Sequence, residues 1–359
     1  MTTLVLHIGS PKTGSSAIQA AVKPTCQHGW SVVPPNPYRR AVPAGCIAAL
    51  YQQPDDLPRV WEQRYRADPA GFSRDIQRYQ HILDRRMRPR WRVQPASVFL
   101  SSEYLWTFSL DVIQRLRQDF LELGVTRFSV VAYVRSPVAL YRSALQQHAR
   151  LYTDFRRFRP QRWRYRFRDR LETWSAVFGD ALLVRPYDRA QLYQGCVVQD
   201  LQHTLQQALP DASPLPLTRV RSAVNESVCV EELLAMQELM LRYPPASRQG
   251  SLRRSEALWR QWARLRRLRT GDSGSPVVLD PAVKQLIGER HQDDLDWLSS
   301  AFGVQLGQPD VAEPTAGDRV QRSEWPADLS LRDLLDVKPI DERLQQLRAT
   351  LQHCSLPRD

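Results

Sequence analysis

The apolar and polar positions of this chain begin with a run from Leu4 to Ile8, interrupted only by His7. Its apolar, β-branched character reads as a strand buried on both faces, the habit of a parallel sheet. Comparable runs occur within 96–101, from Phe128 to Val134 and within 178–192, and residues 29–43 read as a short strand leading into a proline-rich loop. Between these runs the spacing predicts helices. Residues 45–95 read as irregular helices, and further helices are expected at 195–209, 227–242, 252–268 and 281–302. Strands alternating with helices predict an α/β protein with a doubly wound, mostly parallel sheet. One α/β domain is expected over 1–305, with insertions at 34–95 and 149–174. A linker rich in Pro, Gly and charge (311–330) and a helix from Asp341 to His353 form an expected C-terminal extension over 306–359.

The segment after the first strand, LHIGSPKTGSSAIQ (6–19), turns polar at once. Gly9 and Gly14 tolerate backbone angles that other residues resist, and Ser15 or Ser16 can cap a helix through Ala17, Ile18, Ala20 and Ala21. A strand, a tight loop and a helix start aim unpaired N–H groups at one point, which suits a phosphate-like anion, and Lys12 adds a full positive charge. A glycine turn over an ordinary helix would use the same residues. A nucleotide triphosphatase loop would match the spacing of Gly9 and Gly14 but would require a lysine where Ser15 stands.

Two further segments end strands in polar groups. In 127–148 the strand runs into Arg135, Ser136 suits a helix N-cap and Pro137 the first helical position. Arg135 offers a forked cationic donor and Ser143 a hydroxyl about two turns along that helix. A capped helix whose arginine pairs with an acidic neighbour is the plain alternative. In 96–106 the strand ends in Ser101-Ser102-Glu103. Ligands of open α/β sheets gather beyond the carboxyl ends of the strands, so Glu103 is expected to point toward the crevice of Lys12 and Arg135. A glutamate at that position can equally cap the following helix or pair with a basic neighbour.

Pro11-Lys12-Thr13-Gly14-Ser15-Ser16 resembles the 5′-phosphosulfate loop of sulfotransferases that use 3′-phosphoadenosine 5′-phosphosulfate (PAPS), commonly Pro-Lys-x-Gly-Ser/Thr-Ser/Thr. Arg135, Pro137 and Ser143 resemble the second signature of that family, Arg-x-Pro with a serine eight positions after the arginine. The resemblance implies a P-loop NTPase-like sulfotransferase architecture over 1–305. It implies that Lys12, Thr13, Gly14, Ser15 and Ser16 hold the 5′ end of PAPS, and that Arg135 and Ser143 hold its 3′-phosphate. Glu103 stands where carbohydrate-modifying members carry a general base. The implied reaction moves a sulfuryl group to a hydroxyl or amine acceptor, with carbohydrate favoured, and releases adenosine 3′,5′-bisphosphate without a metal. Tyr187-Asp188 resembles the Tyr-Glu of the family, which would bring Tyr187 near the adenine, although core packing explains it equally. The chain departs from the family pattern at Ala17, where cytosolic members often carry an aromatic. Their late Arg-Lys-Gly segment is not recognisable, and Arg219 and Arg221 are the residues that can take its place.

Composition adds a partner class. The 359-residue chain carries a formal charge of +12, so an anionic partner is favoured. Residues 149–174 hold nine arginines among Tyr152, Phe155, Phe158, Trp163, Tyr165 and Phe167. That mixture suits contacts to an acidic glycan acceptor or to the cofactor, a solvated face over buried aromatics, or nucleic acid. The expected partner is a hydroxyl-bearing acceptor, an anionic glycan included, rather than nucleic acid. His7 reads as a buried core histidine and His148 as a solvated helix position. Five scattered cysteines lack metal or disulfide spacing. No run of about twenty apolar residues exists and Met1 leads almost directly into the first strand, so a cytoplasmic protein without a membrane span is expected. Two other readings remain: a P-loop-type nucleotide kinase using magnesium, and a basic nucleic-acid-binding protein.

Overall fold

In a computed structural model, the residues described are 2–22, 26–27, 29–33, 46–57, 59–91, 97–218, 228–242, 257, 259–260, 274–307 and 325–337. Strands β1 (Thr3–Ile8), β2 (Cys26–Gln27), β3 (Trp30–Val32), β4 (Ser97–Ser102), β5 (Arg127–Val134) and β6 (Leu182–Pro186) form one sheet in the order β2-β3-β4-β1-β5-β6. Only β2 and β3 pair antiparallel; β3, β4, β1, β5 and β6 run parallel. The chain therefore starts near the centre of the sheet, crosses to one edge at β2, builds inward through β3 and β4 to meet β1, and then adds β5 and β6 on the other side.

That topology explains the sequence pattern. β1 lies between β4 and β5, and Leu4, Val5, Leu6, His7 and Ile8 are all fully buried. A strand covered on both faces has no solvent side on which to place alternating polar residues. One face is packed by helix α1 (Ser15–Ala21) and by a later helix over Val197–Ala208. Ile18, Ala21, Val197, Val198, Leu201 and Leu205 meet Val5, Phe99, Val131 and Tyr133 there.

Between β3 and β4 the chain forms α2 (Cys46–Tyr51), α3 (Arg59–Ala67) and the long α4 (Pro69–Trp91). Helices α5 (Leu110–Glu122), α6 (Pro137–Ala149), α7 (Phe167–Phe178), α8 (Val197–Ala208), α9 (Val230–Arg242), α10 (Pro281–Glu289) and α11 (Gln292–Phe302) follow. The helix expected over 281–302 is thus two helices, broken at Arg290 and His291. The helices expected at 252–268 and 341–353 lie largely or wholly outside the described residues, as do Arg219 and Arg221.

Two compact units emerge, and the chain passes between them repeatedly. One comprises Met1–Arg135, Arg166–Ser222 and Asp294–Gly307, and contains the sheet. The other comprises Ser136–Tyr165, Ala223–Asp293 and Gln308–Asp359. Its core joins Tyr141 and Leu145 of α6 to Leu233 and Met236 of α9, Val283 and Ile287 of α10, and the buried Trp325, Leu329, Leu331, Leu334 and Leu335. Trp325 and Leu329 fall inside the stretch expected to be a linker, yet their apolar side chains are packed rather than solvated.

The arginine-rich segment divides between the units. Phe155, Phe158 and Tyr165 are buried in the second and Phe167 in the first, while Arg156, Arg157, Arg162, Arg164 and Arg166 are exposed. In the second unit Arg159 donates to the carbonyls of Pro326 and Ala327, and Arg164 to that of Arg290. Arginine tips there satisfy backbone acceptors above buried rings, a use of stem and head typical of arginine. His148, expected on a solvated face, is buried instead: its Nε2 lies 2.6 Å from the Asp154 carbonyl and its ring stacks on Tyr152. Burial, the largest influence, lowers its pKa.

Candidate functional site

The parallel register brings three chain segments to the carboxyl edge of the sheet. β1 ends at Ile8 opposite Ser102 of β4, and the loop 9–14 leaves from that point. Two of its residues adopt left-handed backbone angles: Lys12 (φ 62°) and Gly14 (φ 82°). For a non-glycine such as Lys12 this costs about 1–2 kcal/mol, which the surrounding contacts must supply. Thr13, between the two, is fully buried and donates from its hydroxyl to the Ser10 carbonyl at 2.7 Å, tying the loop to itself.

The helix start differs from expectation. Gly14 is the N-cap of α1 and no side chain caps it; Ser15 and Ser16 are the first two helical residues. Ser15 is buried, and its Oγ has no hydrogen-bond partner among the described residues. It lies against Gly9: a Cβ on Gly9 would sit 2.1 Å from Ser15 Oγ and 3.5 Å from the Cα of Glu103. A Cβ on Gly14 would press on Val197 and on the ring of Tyr187, at 2.9 and 3.0 Å. Both glycines are thus required, Gly9 by close approach and Gly14 by its backbone angle as well.

Arg135 follows β5 and reaches the loop. Its guanidinium donates to the carbonyl of Lys12 at 3.1 Å and lies over the Tyr187 ring, 5.5 Å from the ring centre. Tyr187 follows β6, and its N–H donates to the Val134 carbonyl one strand over. Lys12, Gly14, Ser15, Arg135 and Tyr187 therefore belong to one cluster. Ser143 lies two turns into α6, half-buried, in the second unit.

Glu103 opens the 3-10 turn Glu103–Thr107, whose N-cap Ser102 accepts the N–H of Tyr104 on its side chain. Burial raises the pKa of Glu103 above the ordinary carboxylate value, and the positive charge of Lys12 partly opposes this. A half-buried carboxyl whose pKa is pushed up beside a lysine is suited to accepting a proton. Tyr104, itself shifted up by burial and then by the Glu103 charge, completes this corner. Among the described residues no group of three His, Cys, Asp or Glu side chains could hold a metal ion, and no helix is long and apolar enough to cross a membrane.

Sequence reading missed two features here. Behind Glu103, Ser101 Oγ bonds His7 Nδ1 at 2.7 Å and accepts from Gln19 Nε2 at 3.3 Å. On α8, whose Val197 lies against Gly14, Asp200 is fully buried and receives Tyr133 Oη, Arg185 and the N–H of Tyr193. Burial alone would raise the Asp200 pKa, but the bonds from Arg185, Tyr193 and Tyr133 outweigh it and hold the carboxylate below its usual value. The Arg185–Asp200 spacing of fifteen residues carries no local periodicity from which the pair could have been read.

The fold and site define an open, doubly wound α/β protein with a lysine-bearing, glycine-bounded loop at the carboxyl edge of its central strand. Among solved structures the chain is similar to a sulfotransferase from Alicyclobacillus acidocaldarius, with 15% identity, a TM-score of 0.33, and coverage of 71% of this chain and 94% of that one. No protein-family model matches the chain, and no curated protein matches it.

Proposed function

We propose that the protein is a PAPS-dependent sulfotransferase of the cytoplasm acting on a hydroxyl acceptor, with a carbohydrate as the favoured class. The observation that carries the reading is the hydrogen bond of Arg135 to the Lys12 carbonyl at 3.1 Å, which joins two family-like signatures 123 residues apart in the chain. Ser15 Oγ, buried without a hydrogen-bond partner among the described residues and close to the Gly9 backbone, suits a donor to an anionic group held at the loop. PAPS would supply the sulfuryl group and a bisphosphate leaving group.

In this reading Lys12, Ser15, Ser16 and the loop amides of Thr13 and Gly14 hold the 5′ phosphosulfate, and Arg135 the 3′-phosphate. Tyr187 offers a ring face beside them. Glu103 takes the proton of the acceptor hydroxyl as its oxygen bonds to sulfur and the bond from sulfur to the phosphate oxygen breaks. Lys12 stabilises the charge that gathers on that departing oxygen. In-line transfer of a charged group depends chiefly on positioning and charge stabilisation, which matches a site built of cations and fixed donors.

Thermal unfolding in the presence of adenosine 3′,5′-bisphosphate tests the reading. The expected result is a magnesium-independent rise in Tm that Lys12→Ala and Arg135→Ala abolish, because only ligands of the folded state stabilise it. A rise with magnesium-ATP and none with the bisphosphate would support a kinase instead. Steep salt-dependent association with oligonucleotides, without a bisphosphate response, would support a nucleic-acid binder.

A further inference from the structure

We propose that the buried His7 and Ser101, with the half-buried Gln19, form a polar latch that sets the position of Glu103 relative to Lys12, making His7 and Gln19 positioning residues for the base. The inference rests on the reading of Glu103 as that base.

Parallel pairing puts His7 of β1 directly opposite Ser101 of β4. His7 Nδ1 lies 2.7 Å from Ser101 Oγ, and Gln19 Nε2 reaches the same Oγ at 3.3 Å and the Ser101 carbonyl at 3.4 Å. One serine thus ties together the strand before the loop, the helix after it and the strand that leads into Glu103. Ser102, next in the chain, caps the turn that Glu103 opens. Gly9, two residues beyond His7, brings its backbone against that of Glu103, since a Cβ there would be 3.5 Å from the Glu103 Cα. A slip of β4 along β1 would therefore pass directly into the spacing between the base and the cationic loop.

The trio is out of character with its surroundings. His7 is fully buried and Ser101 nearly so, in a layer otherwise made of Val5, Phe99, Val131 and Tyr133. His7 Nε2 has no hydrogen-bond partner among the described residues, and the edge-to-face contact with Tyr133 is its aromatic neighbour. Burial lowers the His7 pKa to about 4, so the ring is neutral near pH 7. Apolar residues at these positions would pack without leaving a polar atom unpaired. A polar group that costs stability beside a candidate site is where a local rule is broken for function.

The test compares His7→Leu, which removes the bond to Ser101, with His7→Asn, whose amide reaches the position of Nδ1. Gln19→Leu removes the second arm. Misplacing a reacting group by about 1 Å can cost about 100-fold, so His7→Leu should lower kcat by roughly 10- to 100-fold. The Kd for adenosine 3′,5′-bisphosphate should change by less than about 3-fold, because Lys12 and Arg135 remain, and His7→Asn should recover most of the loss. A second readout needs no turnover: the 13C NMR titration of Glu103 in protein labelled at the glutamate carboxyl carbon, assigned with Glu103→Gln. Among the described residues, Lys12 and Tyr104 are the titratable groups whose charges couple to that carboxyl. Its midpoint should move in His7→Leu and Gln19→Leu and return in His7→Asn. Equal kcat losses in the Leu and Asn variants, or an unmoved Glu103 midpoint in His7→Leu, would overturn the latch. If the wild-type protein fails to bind the bisphosphate, the proposed function falls, and the Glu103 titration alone still decides the latch.

Discussion

Ser15→Ala separates the demands of folding from those of anion binding. Among the described residues Ser15 Oγ is buried without a hydrogen-bond partner, 2.1 Å from where a Gly9 Cβ would stand. An unsatisfied buried hydroxyl costs about 1–3 kcal/mol, and removing it leaves a void of roughly one atom, so the variant should unfold with about 1 kcal/mol more stability than the wild type. With bound adenosine 3′,5′-bisphosphate the sign reverses. At a ligand concentration of 100 times Kd the wild type gains about 2.7 kcal/mol. A hydroxyl bond to a charged oxygen contributes about 1.5–3 kcal/mol, which weakens Kd by roughly 10- to 100-fold when lost. The same ligand concentration then stabilises the variant by only about 0.4–1.4 kcal/mol. Urea unfolding of both proteins, with and without the bisphosphate, reads all four values. A variant that is less stable when free and gains as much from the ligand as the wild type would refute the assignment of Ser15 to the anion site.

Three other outcomes follow from named contacts. Lys12→Ala should lower kcat by roughly 100- to 1000-fold, about 3 to 4 kcal/mol of transition-state stabilisation, and sulfation kinetics would refute the role of Lys12 if the loss were under about 10-fold. Asp200→Ala strands Tyr133 Oη and the Arg185 cation. Because Arg185 is one-third exposed, the loss should fall near about 3 kcal/mol, read from the urea midpoint, with little effect expected from adding salt. The wild-type carboxylate, held below its usual pKa, contributes stability that is present above the unfolded value and lost as pH falls through the folded one. The pH profile of kcat/KM should have an acid limb above the ordinary glutamate range, since burial raises the Glu103 pKa and Lys12 only partly opposes it. Lys12→Met should push that limb higher still, and a limb that stays at the ordinary value would remove Glu103 as the base. Folding favours the protonated Glu103, so this group works against stability as pH rises through the window between its unfolded and folded pKa values.

The strands, the loop and the cations near it were legible because each rests on neighbours in the chain. An apolar run such as Leu4–Ile8 must be buried on both faces, and a helix that starts with Pro137 behind Ser136 follows from backbone geometry alone. Partner identity is different in kind. Nothing local distinguishes a capping Ser15 from one pressed beneath Gly9, a solvated His148 from one stacked on Tyr152, or a linker around Trp325 from a buried strip. His7 reads as a core histidine from its strand, yet only the register of β1 on β4 supplies Ser101, and only the packing of α1 on the sheet supplies Gln19. Periodicity reports which side of an element faces inward, a property encoded within a few residues. What waits on that side is settled when distant segments exclude water together, and the resulting pairs are fixed by distances across the fold rather than along the chain.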